Sequence, residues 1–304
     1  MLARAHYEEL TCRGAINRVS GMPFKWSLNP YQGCVHGCHY CYARRYHAFK
    51  DLNADQDFTG VIFVKTNIAR VLREELRRPA WTREEVAIGT ATDPYQPIEG
   101  RYKLTRACLE AFADHGSPVS LVSKGTLIVR DLDVLAQLAA GPGCTVVFSI
   151  TTLDRDLWLK LEPGTPPPEK RLWAMQRLVE AGVRAGVLIA PVLPGLTDGP
   201  RNLEAVVRAA ADHQAQFLGA RILHLQPGTR EHFLGFLQAE YPGLLAEYRR
   251  LFPGAYTPKP FQDEIRSAVA EFKQQYLLQD RPAPRPNVIR QLPLLEGGQF
   301  GSAC

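Results

Sequence analysis

The sequence predicts an α/β fold built on a parallel sheet. Short runs of β-branched and apolar residues alternate with segments of helical periodicity along most of its 304 residues. A connection between parallel neighbours must be long enough to hold a helix, and the connections here meet that requirement. Six strand–helix units are fewer than a closed eightfold barrel contains, so a partial barrel and an open doubly wound sheet are the two alternatives.

The repeating part contains six predicted strands and a short additional one. The first strand covers residues 24–29 and runs into a cysteine-rich segment, and the additional strand covers 61–64. The other five strands are predicted at 86–90, 119–123, 145–150, 183–190 and 220–225. Polar residues and glycines follow these strands directly. Because ligands bind at the carboxyl ends of the strands in both alternatives, the site is expected there.

Predicted helices lie between the strands. The first carries one stripe of apolar residues spaced three and four apart, namely Ile68, Val71, Leu72 and Leu76. Its cap is predicted at Thr66. The other helices are predicted near 103–114, 131–140, 169–181 and 201–212, and Gly182 is expected to end the third of these.

The alternation of strands and helices stops after residue 237. Two amphipathic helices, near 241–251 and 263–277, are expected to pack against the repeating part. The prediction is therefore an N-terminal extension, a core, a helical extension and an extended tail rich in proline and glycine, at residues 1–23, 24–240, 241–279 and 280–304.

Composition indicates a soluble globular protein. Hydrophobic residues make up 45% of the chain and charged residues 22%, which excludes a disordered or fibrous chain. The net charge of +5 is mildly basic, so it is compatible with a phosphate-bearing partner without requiring one. The first residues lack the apolar run of a signal peptide, and the longest apolar stretch, 185–193, is too short to span a bilayer. A cytoplasmic protein without a membrane partner is expected.

Three of the seven cysteines lie within eight residues, at Cys34, Cys38 and Cys41. Such clustering indicates a metal or an iron–sulfur cluster in a reducing compartment. Three thiolates on a four-iron cluster leave one iron open to a small molecule, which indicates catalysis. The alternative is structural zinc, with His36 or His39 as the fourth ligand.

The remaining cysteines are not expected to bind the metal. Cys108 falls in a predicted helix and Cys144 just before a predicted strand, and free cysteine at such positions is usually a small buried hydrophobe. Cys304 lies on the glycine-rich tail and is expected to be an unconstrained thiol.

The cysteine spacing resembles the CxxxCxxC signature of the radical S-adenosylmethionine (SAM) superfamily, with Tyr40 as the expected aromatic residue. Within it the chain is similar to the spore photoproduct lyases and their photolyase-like relatives over about 29–241. The matching segments are His-Tyr-Cys-Tyr at 39–42, Phe-Ser-Ile at 148–150, Pro-Glu-Lys-Arg at 168–171 and Gly-Val-Leu-Ile-Ala-Pro at 186–191.

This resemblance implies a partial sixfold barrel with a [4Fe–4S] cluster on the three cysteines. The open iron would chelate SAM, and reductive cleavage would give a 5′-deoxyadenosyl radical that abstracts hydrogen from the substrate. An electron donor is implied, either a reductase or a flavodoxin or ferredoxin. The implied SAM contacts are Tyr40, Thr92, Asp93, Lys124, Ser149 and Ala190. Of these, Lys124 resembles the lysine that pairs with the SAM carboxylate.

Two positions bear on the reaction itself. Tyr42 matches a family tyrosine proposed to relay radicals, which makes it the candidate catalytic residue, with simple packing as the alternative. Thr90 stands where the photoproduct lyases carry a cysteine that returns a hydrogen atom. Because a hydroxyl O–H bond is too strong for that task, the donor lies elsewhere or the reaction needs none.

Three hypotheses for the function remain open. The first is a radical enzyme acting on nucleic acid, with an interface formed by basic and aromatic residues, namely Arg44, Arg45, Arg249, Arg250, Tyr256 and Lys259. The second keeps the radical chemistry but has a peptide or a small molecule as substrate. The third is a zinc-stabilised nucleic-acid-binding protein without catalysis.

Overall fold

The computed structural model describes residues 5–281. Its strands are β1 (His6–Leu10), β2 (Asn17–Arg18), β3 (Trp26–Leu28), β4 (Tyr31–Gln32), β5 (Val61–Lys65), β6 (Val86–Ile88), β7 (Val119–Ser123), β8 (Cys144–Ser149), β9 (Arg184–Val192) and β10 (Leu218–Ile222). Most of the predicted tail, 280–304, and Cys304 with it, lies outside the described residues.

The main sheet has seven strands in the order β10-β9-β8-β7-β6-β3-β2. Six of its strands, β3, β6, β7, β8, β9 and β10, each lie parallel to their neighbours among these six, and in this sheet only β2 is antiparallel. A doubly wound sheet reverses its strand order at a switch point, whereas this order runs in one direction. The six-stranded partial barrel is confirmed, with β10 at one end and β3 at the other, where the short strand β2 pairs with β3.

The helices are α1 (Gln56–Gly60), α2 (Ile68–Leu76), α3 (Glu99–Tyr102), α4 (Leu104–Asp114), α5 (Leu132–Ala140), α6 (Arg155–Leu161), α7 (Pro168–Glu180), α8 (Pro200–Asp212), α9 (Thr229–Glu240), α10 (Leu245–Leu251) and α11 (Lys259–Gln275). Three 3₁₀ helices, Tyr42–Lys50, Thr126–Asp131 and Pro242–Leu244, complete the described chain. Among residues 5–281, no helix has the length and apolar content needed to cross a membrane.

The helix predictions rest on buried stripes that the structure contains. All four predicted stripe residues of α2 are buried. Gly182 follows α7 with φ +81°, the left-handed conformation that ends a helix without strain. The cap predicted at Thr66 is wrong, because its hydroxyl donates to the Leu10 carbonyl at 3.3 Å and Asn67 occupies the cap position.

A second, three-stranded sheet lies beside the barrel in the order β1-β5-β4. It absorbs the additional strand predicted at 61–64 and pairs it with β1, which is mostly exposed and carries no alternating apolar pattern. This sheet matters for the site because β4 leads directly into the cysteines.

The core fills the barrel and the space beneath its helices. Side chains such as Leu121, Val146, Phe148 and Val187 on the central strands have no exposed surface. Cys108 and Cys144 are 0% and 2% exposed, so both are small core residues. The predicted C-terminal helices correspond to α10 with the preceding 3₁₀ turn and to α11, and α11 packs on α8 and β10.

Candidate active site at the cysteine loop

The three cysteines lie on one loop, residues 34–41, between β4 and the 3₁₀ helix Tyr42–Lys50. We call this segment the cysteine loop. Its backbone amides donate to three separate parts of the chain, at Phe58, Gln96 and Leu161, over 3.0–3.2 Å. The loop is therefore held from several sides before any ligand binds, as a preorganised site requires.

Two glycines allow other segments to approach the cysteine loop closely. Gly33 has φ +84°, and a Cβ there would lie 2.7 Å from the Val61 carbonyl. A Cβ at Gly164 would lie 2.3 Å from the Val35 carbonyl, and the Gly164 N–H donates to the His36 carbonyl at 3.0 Å. A side chain at either position would displace the loop.

The three thiols of the loop share one environment. Cys34 and Cys38 are buried, Cys41 is half-buried, and none forms a disulfide. Burial raises the pKa of all three thiols, and that of Cys34 rises further because Asp93, Cys38 and Cys41 lie nearby. Thiolates at this position therefore need a positive partner to stabilise them.

The histidines of the loop are directed to other partners. His36 Nδ1 lies 3.2 Å from Asp93 Oδ2, and His39 Nδ1 lies 3.0 Å from His232 Nε2. Burial, followed by the neighbouring His232, lowers the pKa of His39 to about 4. Among residues 5–281, no group of three or more His, Cys, Asp or Glu side chains closes on a point where a single metal ion would bind.

This arrangement fits a cluster better than a single ion. Zinc requires four donors around one centre, including one of the two histidines. A four-iron cluster accepts each thiolate on a different iron, so the three sulfurs surround it without converging on one point. The cysteine loop supplies three such thiols and keeps its histidines apart from them.

Four of the predicted SAM residues contact one another beside the cysteine loop. Lys124 Nζ donates to Ser149 Oγ at 2.7 Å, and Ser149 Oγ donates to the Ala190 carbonyl at 2.7 Å. The Lys124 ammonium also lies 5.5 Å from the centre of the Tyr40 ring. Lys124, Ser149 and Ala190 lie at or near the carboxyl ends of three neighbouring strands, β7, β8 and β9, which explains why they meet although they are far apart in sequence, and Tyr40 reaches them from the cysteine loop.

Asp93 accepts hydrogen bonds from the segment that carries Lys124. Its carboxylate accepts from the Lys124 N–H at 2.7 Å and from the Ser123 hydroxyl at 2.7 Å. Burial opposes its ionisation, but His36 and these donors outweigh burial and keep the pKa of Asp93 well below its usual range. Thr92 faces the other way, because its hydroxyl donates to the Gly33 carbonyl at 2.6 Å.

Sequence reasoning missed a buried ion pair behind Tyr40. Glu162 and Arg171 are 2% and 0% exposed, and their side chains are in contact. The Tyr40 hydroxyl donates to the Glu162 carboxylate, and Arg171 Nη1 donates to the Ser149 carbonyl at 3.0 Å. Burial opposes ionisation, but Arg171 outweighs it and lowers the pKa of Glu162 to about 2. The pair therefore braces both the cysteine loop and β8.

Comparison with known proteins decides the family. The family model of the radical SAM superfamily matches residues 28–207. This chain belongs to the radical SAM superfamily. An uncharacterised protein of Mycobacterium tuberculosis is 40% identical over 284 residues, which cover 91% of this chain and 84% of the relative. The radical SAM Nα-GlyT isomerase of Pseudomonas phage M6 is 30% identical over 169 residues, 55% of this chain and 33% of the isomerase.

Solved structures share the fold. A spore photoproduct lyase mutant with bound SAM and dinucleoside spore photoproduct superposes with a TM-score of 0.65 and 17% identity, covering 89% of this chain and 79% of the lyase. Radical SAM enzymes generally use SAM together with a [4Fe–4S] cluster, so membership favours the enzymatic hypotheses over a non-catalytic zinc protein.

In this radical SAM protein, Tyr42 and Thr90 lie side by side. The Tyr42 hydroxyl donates to the Thr90 carbonyl, and the Thr90 hydroxyl accepts from Asn29 Nδ2 at 3.1 Å. Burial raises the pKa of Tyr42, so its phenol is protonated at neutral pH. The Tyr42 ring lies 5.5 Å from His224, which in turn stacks on Tyr256 at 5.9 Å.

The residues of the predicted basic interface differ in their exposure to solvent. Tyr256 is 61% exposed, and Arg249, Arg250 and Lys259 are exposed at the end of α10 and the start of α11. Arg44 was expected to face a phosphate backbone, and this expectation is wrong because the side chain is only 2% exposed. Its hydrogen bonds to backbone carbonyls, which no sequence pattern records, explain the difference.

Proposed function

We propose that this chain is a radical SAM enzyme in which Cys34, Cys38 and Cys41 hold a [4Fe–4S] cluster. When bound, the cluster supplies the electron that cleaves SAM to methionine and a 5′-deoxyadenosyl radical, which abstracts hydrogen from the substrate. The observation that carries the proposal is the contact of Lys124, Ser149 and Tyr40 beside the cysteine loop.

The side chains around the loop supply what SAM requires. The Lys124 ammonium is placed to pair with the carboxylate of SAM in exchange for its bond to Ser149 Oγ. Ser149, fixed to the Ala190 carbonyl, offers a hydroxyl on the same side of β8 as Thr151. Asp93 is ionised and orients Lys124, and its negative charge attracts the amino group of SAM. All these contacts with SAM stay predictions, as do those of Tyr40, Thr92 and Ala190.

Replacement of Lys124 tests this assignment. We expect Lys124→Met to weaken SAM binding about 10- to 100-fold, because a hydrogen bond to a charged group contributes about 1.5–3 kcal/mol. Isothermal titration of the reconstituted protein with SAM measures the affinity. Lys160→Met removes the same charge at the surface, where Lys160 pairs with Glu240, and should bind SAM like the wild type. Equal affinities in all three proteins would refute the role of Lys124.

We further propose that the substrate is a nucleic-acid base. The phage relative is named a radical SAM Nα-GlyT isomerase, and the superposed lyase structure contains a dinucleoside spore photoproduct. On this chain the row Tyr42, His224 and Tyr256 leads from the site to an exposed ring. Aromatic rings beside arginines are the elements that hold single-stranded nucleic acid.

The positions of the described cysteines, with Thr90 in place of a thiol, favour a particular reaction type. Apart from the loop cysteines, the cysteines described within 5–281 are Cys12, Cys108 and Cys144, and the latter two are enclosed in the core. A rearrangement in which 5′-deoxyadenosine returns a hydrogen atom to the product radical needs no thiol. This transfer regenerates the 5′-deoxyadenosyl radical, which would re-form SAM with methionine by giving one electron back to the cluster. We propose Tyr42, whose hydroxyl adjoins Thr90, as the catalytic residue nearest the reacting atoms.

A substrate screen tests the nucleic-acid proposal. Single-stranded and duplex DNA, with and without modified or irradiated thymine, should raise 5′-deoxyadenosine exchange or formation above the uncoupled rate. Tyr256→Ala should weaken DNA binding, because base stacking contributes about 1–3 kcal/mol. Arg266→Ala, in the middle of α11 and paired with Asp263, is a surface control. If no nucleic acid changes the rate and Tyr256→Ala binds like the wild type, the substrate is a peptide or a small molecule.

A further inference from the structure

Arg44 carries a charge that the described residues do not neutralise. Its side chain is 2% exposed and stacks on Phe58, with the guanidinium carbon 4.9 Å from the ring centre. Within residues 5–281, no carboxylate oxygen lies within 4.0 Å of the guanidinium. A buried charge is costly unless an opposite charge lies nearby.

The guanidinium nonetheless makes four hydrogen bonds to the backbone, one fewer than its five N–H groups allow. Nε donates to the Cys38 carbonyl at 3.0 Å and Nη2 to the Gly37 carbonyl at 2.9 Å. Nη1 donates to the carbonyls of Ala54 and Asp55 at 3.0 and 3.1 Å. These bonds join the central turn of the cysteine loop to the segment before α1.

Two sources of negative charge lie near this guanidinium. Asp55, whose backbone carbonyl accepts from Arg44, has a carboxylate that contacts His232 Nδ1 at 2.7 Å. The other is the cysteine loop, whose Gly37 and Cys38 carbonyls accept from Arg44 and whose three cysteines would carry the charge of a bound cluster. Three thiolates on an oxidised four-iron core carry a net charge of about −1, and one-electron reduction makes it about −2. A fixed cation beside the loop therefore favours the reduced state over the oxidised state.

We propose that Arg44 is the positioning residue of the cluster, which fixes the Gly37–Cys38 turn and offsets the negative charge that reduction adds. This inference rests on the proposed function, because it assigns Arg44 a role toward the cluster. The neighbouring Arg45 does not share this role. Its guanidinium lies over the ring of Tyr46 at 5.6 Å and makes no hydrogen bond to the loop carbonyls that Arg44 binds.

The reduction potential of the reconstituted protein tests the charge. A unit charge about 10 Å away at an effective dielectric constant of about 20 changes a one-electron equilibrium by more than about tenfold. We expect Arg44→Met to lower the ratio of reduced to oxidised cluster at a fixed potential about tenfold, a shift of about 59 mV for one electron. Redox titration followed by electron paramagnetic resonance measures the shift.

Two further variants separate charge from structure. Arg44→Lys keeps the positive charge but cannot reach all four carbonyls, so we expect most of the wild-type potential with a looser loop. Arg45→Met removes a charge one residue away and should leave the potential close to that of the wild type. A potential that is unchanged in Arg44→Met, or that falls equally in Arg45→Met, would overturn the inference.

Hydrogen–deuterium exchange tests the positioning without any cluster. In the protein as purified, peptides covering 34–41 should exchange about tenfold faster in Arg44→Met and Arg44→Lys than in the wild type, and unchanged exchange would contradict the positioning role. Iron analysis of the wild type keeps the two proposals apart. A wild type that takes up no iron refutes the proposed function, whereas iron uptake with identical potentials and exchange refutes only the role of Arg44.

Discussion

Cys38→Ala is expected to abolish iron binding and the cleavage of SAM while leaving the barrel folded. The Cys38 thiol is 7% exposed in the centre of the cysteine loop, with Cys34 and Cys41 on either side, so no other described cysteine can replace it. Without a third thiolate the cluster lacks a ligand, and formation of 5′-deoxyadenosine should fall to the rate without protein. Iron analysis and chromatography of the nucleoside products measure both effects.

The matched control is Cys144→Ala. Cys144 begins β8, is 2% exposed and lies outside the loop, so this variant should lose some stability but keep its iron and its activity. If Cys38→Ala retains the cluster, or if Cys144→Ala loses it, the assignment of the three ligands is wrong.

Arg171→Met should produce the largest loss of stability. It leaves Glu162 buried without its partner, and breaking a buried ion pair on one side costs about 3–5 kcal/mol in the free energy of unfolding. Because Arg171 also donates to the Ser149 carbonyl, SAM binding should weaken as well. Urea unfolding at pH 7 measures the stability of both proteins.

The stability difference between the wild type and Arg171→Met should also depend on pH, with a sign set by the pKa of Glu162. The pKa of Glu162 is about 2 in the folded protein and 4.5 in its ordinary range, so its ionisation stabilises the fold fully above about pH 4.5. This contribution is lost as the pH falls through 4.5 toward 2. In Arg171→Met, a protonated Glu162 is no longer an unpaired charge, so the difference between the two proteins should narrow as the pH falls.

Arg177→Met supplies the control on the same helix. Arg177 pairs with Glu180 at the surface of α7, where an exposed ion pair contributes at most about 1 kcal/mol. If Arg171→Met and Arg177→Met lose equal stability, the buried pair does not brace the site.

The barrel could be predicted from the sequence because most of the strands and helices that form it carry strong periodic patterns. Six apolar strands and the stripe of α2 follow from spacing alone, and burial in the structure agrees with them. The strand β1 and the helices α1, α3, α6 and α9 were not predicted. β1, α1 and α3 have five or fewer residues and α6 has seven, too few for a clear periodic pattern. The 12 residues of α9 lie across the point where the alternation was expected to stop.

For the site, the structure brings together several residues that the sequence had singled out, while their contacts with SAM stay predictions. Lys124, Ser149 and Ala190 meet because neighbouring parallel strands end at the same edge of the barrel, and Tyr40 of the cysteine loop lies against Lys124. The role of Thr92 as a SAM ligand stays a prediction, since its hydroxyl contacts the backbone before the loop.

Sequence reasoning failed for charges whose burial depends on tertiary packing. In the linear sequence Arg44 and Arg45 are equivalent, yet only the first is enclosed. Glu162 and Arg171 are nine residues apart and look like ordinary surface charges until α6 and α7 fold against β8. His232, which contacts His39, lies 193 residues away along the chain.

Anaerobic reconstitution with iron and sulfide tests the central claim most directly. The wild type should bind about four irons and four sulfides per chain, give the electron paramagnetic resonance signal of a reduced cluster with dithionite, and change that signal when SAM binds the open iron. It should then form 5′-deoxyadenosine. Stoichiometric zinc with no iron, or a reduced cluster that neither responds to SAM nor yields 5′-deoxyadenosine, would contradict the account.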